Sequence, residues 1–182
     1  MALERKTTKS EGSNSDYENL TAGEYEARLV YVADLGMHQD EHKGKLKPIC
    51  QKISLGLELI GQTVTIDDEE KPRFMWVRPF NIFNSLTEKG NEMKYYKVFD
   101  PACKEGDVPD WDAQIGKACS VYVEQNEKGY DEITSVSAIP AKYQDDIAPA
   151  TIEGGVGDGA AVVDALYGLA KWTYDNQIKG ED

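Results

Sequence analysis

The sequence lacks the motifs of the common enzyme classes and any long apolar run. It contains no GxxxxGK[ST], GxGxxG, GxSxG or HExxH pattern, so the usual signatures of nucleotide binding, acyl transfer and zinc hydrolysis are missing. No apolar run reaches the length of about 18 residues that a membrane-spanning helix needs. Residues 1–20 also lack the apolar centre of a signal peptide. These absences predict a cytoplasmic protein that is not an enzyme and has no membrane partner.

Residues that bind metals or form disulfides are scarce. The three cysteines are far apart and show no CxxC spacing, which is typical of reduced thiols in a cytosolic protein. The two histidines, His38 and His42, flank Asp40 and Glu41 in a polar segment. Such ligands are able to chelate a divalent metal, but without cysteine ligands the pattern favours a solvated loop. We therefore predict no metal and no cofactor, and a small metal-dependent enzyme is a minor alternative.

The chain is acidic overall, yet its positive charges are grouped. The 33 acidic and 20 basic residues give a net charge of −13, which argues against a surface that is positive all round for duplex DNA. Residues 43–57 contain four lysines and no acid, and residues 71–99 contain six basic residues against two acids. By contrast, residues 100–112 carry five acids and one lysine. Two basic stretches therefore lie within an otherwise acidic molecule.

Alternating apolar residues predict five β-strands. In the first, the residues on one face are Tyr25, Ala27, Leu29, Tyr31 and Ala33. In the second, the residues on the apolar face are Ile49, Ile53, Leu55, Leu57 and Leu59. A third strand, at residues 73–83, is rich in aromatic residues and is interrupted by Pro79, which cannot donate to a ladder. Residues 115–124 and 130–139 predict a hairpin with a short glycine-containing loop.

The order of these elements favours an OB-fold barrel. A helix is predicted within residues 86–98, between the third and fourth strands. Five strands with one helix at that place are the arrangement of the OB-fold, which binds oligonucleotides or oligosaccharides. We therefore predict a mainly β fold with an OB-fold domain at residues 21–145, after a disordered segment at residues 1–20. Residues 146–182 are predicted to form a flexible glycine-rich linker and an acidic, partly helical tail.

Basic residues interleaved with aromatic residues are the feature that points to function. Residues 71–99 hold seven aromatic residues beside their six cations. Binding of single-stranded nucleic acid needs cations for the phosphates and flat rings on which bases stack. On a strand, Phe74, Trp76 and Arg78 share one face, which is either a stacking face or the core face. The residues predicted to bind nucleic acid are Arg28, Lys43, Lys45, Lys47, Lys52, Arg73, Phe74, Trp76, Arg78, Phe80, Lys94 and Tyr95.

Four segments resemble a known family. They begin at Gly23 with GEYEARL, at Pro72 with PRFMWV, at Ile115 with IGKACSVYV and at Gly129 with GYDEITSV. Together they resemble the OB-fold single-stranded DNA-binding proteins of tailed bacteriophages. The resemblance implies a protein of the host cytoplasm that coats and protects single-stranded DNA during phage DNA replication and recombination. It also implies an acidic C-terminal tail that contacts replication or recombination proteins and shields the DNA groove.

The C-terminal region departs from that family pattern. Residues 160–174 contain apolar residues at helical spacing, which a purely acidic tail does not have. Formation of a homodimer or docking to a partner is therefore as consistent with this segment as shielding. The alternative function for the whole chain is a phage structural or assembly protein, such as a tail or capsid accessory protein, without nucleic-acid binding.

Overall fold

A computed structural model describes residues 18–66 and 68–158 of the chain. The helix predicted at 160–174, the acidic tail and residues 1–17 of the segment predicted to be disordered lie outside these residues. The described chain is mainly β. Its strands are β1 (Gly23–His38), β2 (Glu41–His42), β3 (Lys45–Leu46), β4 (Cys50–Ile66), β5 (Glu69–Trp76), β6 (Phe80–Ile82), β7 (Ala118–Gln125), β8 (Asp131–Ala138) and β9 (Gly155–Asp158). Its helices are α1 (Asn91–Phe99), a 3₁₀ turn at Asp112–Gln114 and the single turn α2 (Ala141–Gln144).

The five long strands form one antiparallel sheet in the order β5-β4-β1-β7-β8. They and α1 follow each other along the chain in the predicted order of three strands, one helix and two strands. Four short strands are additions to this plan. The strand β6 pairs with β4, β9 pairs in parallel with β1, and β2 and β3 form a separate hairpin.

The sheet is not closed into a barrel in the described part of the chain. Its two end strands, β5 and β8, share no backbone pairing there. Side chains join these edges instead: Nη1 of Arg73 lies 3.3 Å from Oδ2 of Asp131, and Nη2 of Arg78 lies 3.2 Å from Oε1 of Glu132. The predicted closed barrel is therefore not confirmed. Between β5 and β8, where a closed barrel would have a ladder of backbone hydrogen bonds, the described residues form ion pairs between side chains.

The main core lies on the face of the sheet that packs against α1. Met93, Tyr96 and Phe99 of the helix meet the buried residues of the strands in this cluster. The alternation predicted for β4 is confirmed, since the buried residues there are Ile53, Leu55, Leu57 and Leu59. Ile49 was predicted on the same face and is exposed, because β4 begins only at the next residue.

A bulge in β1 changes the face that its residues occupy. The pairing of β1 with β4 shifts between Leu29 and Tyr31. Ala27 and Leu29 lie in the main core, whereas Tyr31 and Ala33 lie in a second apolar cluster. The prediction that all these residues share one face is therefore wrong beyond Leu29. The extra residue of a bulge turns the side chains that follow it to the other face of the sheet.

The second apolar cluster lies on the opposite face of β1, β4 and β5. Its buried residues are Val30, Tyr31, Ala33, Phe74 and Trp76. Phe74 lies across the bare backbone of Gly56, where an added Cβ would be 2.3 Å from the Phe74 ring. Residues 148–158 cover the cluster and end in β9. Part of the glycine-rich segment predicted as a flexible linker is therefore a strand of the sheet.

Glu92 of α1 is a buried carboxylate next to the main core. Its Oε1 accepts a hydrogen bond from Nε1 of Trp111 at 3.1 Å. Burial raises the pKa of Glu92, and the hydrogen bonds from Trp111 and the Phe83 backbone oppose this shift only in part. Because the protonated form is favoured in the fold, Glu92 does not reduce the free energy of unfolding below its ordinary pKa. As pH rises from that value through the raised pKa, ionisation of Glu92 lowers the free energy of unfolding.

We therefore expect Glu92→Gln to change how stability depends on pH. The free energy of unfolding of the variant minus that of the wild type should increase from pH 4 to pH 8, at no more than about 1.4 kcal/mol per pH unit, the limit for one proton. Urea unfolding of both proteins across this range measures the difference. A difference that stays constant with pH would show that Glu92 keeps its ordinary pKa in the fold.

Candidate nucleic-acid interface

The hairpin formed by β2 and β3 presents three exposed lysines. Its turn contains Lys43 with φ of 51° and Gly44 with φ of 76°, and successive positive φ angles are typical of the tight turns that join two strands. Lys43, Lys45 and Lys47 are all exposed. The basic loop predicted between the first two strands is therefore an ordered hairpin, and its lysines are accessible to a ligand.

Asp40 anchors the base of this hairpin to the sheet. Its Oδ1 lies 2.8 Å from Nζ of Lys52 on β4, and its carbonyl oxygen accepts a hydrogen bond from the Lys47 backbone at 2.8 Å. The hydrogen bond from Lys52, with the positive charges nearby, lowers the pKa of Asp40. Lys52 therefore positions the hairpin, and its positive charge is already matched by Asp40.

Exposed apolar side chains gather at the same end of the sheet. Met37 is 64% exposed, Leu46 68%, Ile49 60% and Phe83 58%. The pairing register brings them together, because Met37 pairs with Gln51 and Gln51 pairs with Ile82, next to Phe83. Sequence reasoning left these four residues out of the site. Alternation alone does not reveal that β6 ends just before Phe83 and leaves its ring in solvent.

Strand β6 connects this end of the sheet to α1. Phe80 at the start of β6 is buried and stacks on Tyr95 of α1, with ring centroids 4.8 Å apart and an angle of 28° between the planes. Nζ of Lys94 lies 5.5 Å from the centroid of the Tyr95 ring. Burial raises the pKa of Tyr95, and the positive charge of Arg78 opposes the rise.

These contacts define one surface, which we call the hairpin–β6 surface. It consists of the hairpin, the start of β4, β6 with Phe83, and the part of α1 that carries Lys94 and Tyr95. Seven of the twelve predicted site residues belong to it or border it. They are Lys43, Lys45, Lys47, Lys52, Arg78, Lys94 and Tyr95. An eighth, Phe80, lies beneath this surface, because its ring is buried in the main core.

The other four predicted residues lie elsewhere and have internal partners. Arg28 donates hydrogen bonds to the carbonyl oxygens of Gly116, Gln144, Ile147 and Ala148 at 2.5–3.0 Å. Arg73 is buried, pairs with Asp131 and donates to the Glu18 carbonyl at 2.8 Å. Phe74 and Trp76 do share a face, as predicted, but they are buried in the second apolar cluster. In this structure none of the four presents its ring or cation to a ligand.

The described residues hold no arrangement typical of a metal centre. Nε2 of His38 lies 2.8 Å from the carbonyl oxygen of Leu35. Within residues 18–66 and 68–158, no three His, Cys, Asp or Glu side chains come together in a way that could hold a metal ion. Over the same residues, no helix has the length and apolarity needed to span a membrane.

Comparison with protein-family models, with curated proteins and with solved structures finds no match for this chain. The resemblance to phage single-stranded DNA-binding proteins therefore stays a prediction, and the case for a function depends on the geometry of the hairpin–β6 surface.

Proposed function

We propose that the protein binds single-stranded DNA without sequence preference, and without chemistry, on the hairpin–β6 surface. The observation that carries the proposal is the placement of three exposed lysines at the same end of the sheet as exposed Phe83, in a molecule whose net charge is −13. Cations along a groove hold phosphates and exposed rings stack on bases, so this combination suits a single strand. A role in phage DNA replication and recombination follows from the resemblance and is part of the same proposal.

The architecture supports an OB-like binding module. The sheet order β5-β4-β1-β7-β8, with α1 between the third and fourth long strands, supports the proposal of an OB-like module that is open along one seam. Ion pairs from Arg73 and Arg78 bring the two edges of that seam together. OB-folds bind through the loop between their first two strands and the neighbouring strand surface, which is where the lysine hairpin stands here.

The direct test is a titration of fluorescein-labelled oligo-dT with the full chain, followed by fluorescence anisotropy at several salt concentrations. With three to four lysines on phosphates, the slope of log K against log salt should be about −2 to −3. An equal length of duplex should bind far more weakly, because it hides the faces of its bases. The labelled strand is the better reporter, since Trp76 and Trp111 are buried. No binding at any salt would favour the structural or assembly alternative.

Phe83 is the exposed ring best placed to stack on a base. We expect Phe83→Ala to weaken oligo-dT binding about 5- to 150-fold, because a stacked base contributes about 1–3 kcal/mol. Its thermal stability should change little, since the ring is largely in solvent. The matched control is Tyr143→Ala, which removes another exposed ring away from the hairpin. Equal losses in both variants would exclude a specific role for Phe83.

A further inference from the structure

Residues 148–158, which we call the strap, cross the face of the sheet that carries the second apolar cluster. Ala150 and Ile152 pack on that cluster, and the hydroxyl of Tyr31 donates to the Glu153 carbonyl at 2.7 Å. Strand β9 then runs parallel to β1 from Tyr31 to Asp34. Beneath the strap, Tyr31, Phe74 and Trp76 form an edge-to-face series with centroids 6.1 and 5.1 Å apart.

A single buried carboxylate fastens the strap. Both carboxylate oxygens of Glu58 accept the Thr151 backbone N–H, at 3.0 and 2.9 Å. The Thr151 hydroxyl and the Ile152 backbone N–H each donate to Oε1 at 2.9 Å. The strap itself contributes little apolar area, because Ala150 and Ile152 are only half-buried while the three rings below them are buried. Its attachment therefore depends mainly on polar contacts, which water or a ligand is able to replace.

The strap is negatively charged. Residues 148–158 contain two acids, Glu153 and Asp158, and no basic residue. Glu153 precedes the pairing of β9 with β1, and Asp158 is the last residue of that pairing. An extended, negatively charged segment that lies over three aromatic rings resembles, in shape and charge, a single nucleic-acid strand bound to those rings.

We propose that the strap is displaceable and that the seat beneath it, formed by Tyr31, Phe74, Trp76 and Glu58, is a second binding site for unpaired nucleobases. The inference rests on the proposed function and extends it to a site that is covered in the unbound protein. The rings supply stacking faces. Glu58 accepts N–H donors, which bases carry on their Watson–Crick edges and which phosphates lack, so the backbone of a bound strand stays at the rim of the seat.

The glycines of the strap provide a matched pair of variants. A Cβ on Gly154 would lie 1.9 Å from the Val30 carbonyl oxygen, so Gly154→Ala forces the strap away from β1. At the next residue, Gly155, an added Cβ meets nothing within 4 Å, and Gly155→Ala leaves the strap in place. If the closed strap opposes binding, Gly154→Ala should bind oligo-dT at least about 5-fold more tightly, because a larger fraction of the protein has an open seat. Gly155→Ala should bind like the wild type.

Hydrogen exchange of the full wild-type chain, with and without saturating oligo-dT, gives a test that does not depend on a variant. We expect the amides of Thr151 and Ile152 to exchange at least about 10-fold faster when the strand is bound. Oligo-dT binding that leaves these amides protected, or a Gly154→Ala protein that folds and binds no more tightly, would overturn the strap proposal alone. Absence of binding by both the wild type and Gly154→Ala would overturn the proposed function with it.

Discussion

Reversing the charge of Lys43, Lys45 and Lys47 to glutamate is expected to weaken oligo-dT binding by about 100-fold or more at low salt. Each lysine that neutralises a phosphate releases a counterion, and each glutamate in its place adds repulsion. The salt slope should therefore become less steep by about 2, the contribution of three phosphate contacts on a single strand. Anisotropy titrations of the labelled strand at four or five salt concentrations measure both quantities.

The control must change the net charge by the same amount at another place. Lys104, Lys128 and Lys142 are exposed and lie outside the hairpin–β6 surface, so their joint replacement by glutamate serves this purpose. The two triple variants are compared at physiological salt, where we expect at most a few-fold loss for this control, since distant exposed charges are screened there beyond about 8 Å. Equal losses in the two triple variants would mean that overall charge sets the affinity and that the hairpin has no special role. Unchanged melting temperatures would show that both proteins remain folded.

Local pattern was enough to predict the parts of the fold in which one face of a strand meets the main core. The alternation of Ile53, Leu55 and Leu57 predicted the buried face of β4, and the spacing of Phe74 and Trp76 predicted that these rings share a face. The hairpin of β7 and β8 also followed from period-2 runs around a glycine. These features depend on neighbours within a few residues, which a single sequence displays directly.

The second covered face could not be predicted in this way. Glu58 alternates with apolar residues, a pattern that predicts an acid facing solvent. It is buried instead, because residues 93 and 94 positions later along the chain donate hydrogen bonds to it. The bulge after Leu29 similarly turns Tyr31 towards the strap with no glycine or proline to signal it. Where both faces of a sheet are covered, period-2 alternation no longer distinguishes the core face from the solvent face.

The predicted binding cations fall into two groups, exposed lysines and internally bonded arginines. The sequence does not separate the groups, because the partners of the arginines are distant along the chain. Lysines in a polar loop are exposed wherever the loop lies, and Lys43, Lys45 and Lys47 are indeed accessible. Arg28 and Arg73 have the same charge, but their guanidinium groups are used by carbonyl oxygens and a carboxylate distant in sequence. Nothing local separates an arginine that organises the fold from one that meets a phosphate, because both tasks use the same planar set of donors.

Glu58→Ala is expected to lower the free energy of unfolding by about 2–4 kcal/mol. Hydrogen bonds to a charged group contribute about 1.5–3 kcal/mol, and the strap loses its fastening to β4 when they are removed. Urea unfolding at neutral pH measures the change. Glu26→Ala is the matched control, because Glu26 is an exposed acid on β1 and its loss should change stability by less than about 0.5 kcal/mol. A similar small effect for Glu58→Ala would show that solvent replaces the Glu58 carboxylate, at no cost, as the acceptor for the strap's donors.

Combining Glu58→Ala with Gly154→Ala then tests whether the two residues hold the same structure. Glu58 fastens the strap through Thr151 and Ile152, and Gly154 permits its close approach to Val30. If each single change releases the whole strap, the second change removes little that remains. We therefore expect the double variant to be no more than about 0.5 kcal/mol less stable than the less stable of the two single variants. Its loss of stability is then well below the sum of the two single losses. Additive losses in urea unfolding would mean that the two contacts act independently and that the strap does not open as one unit.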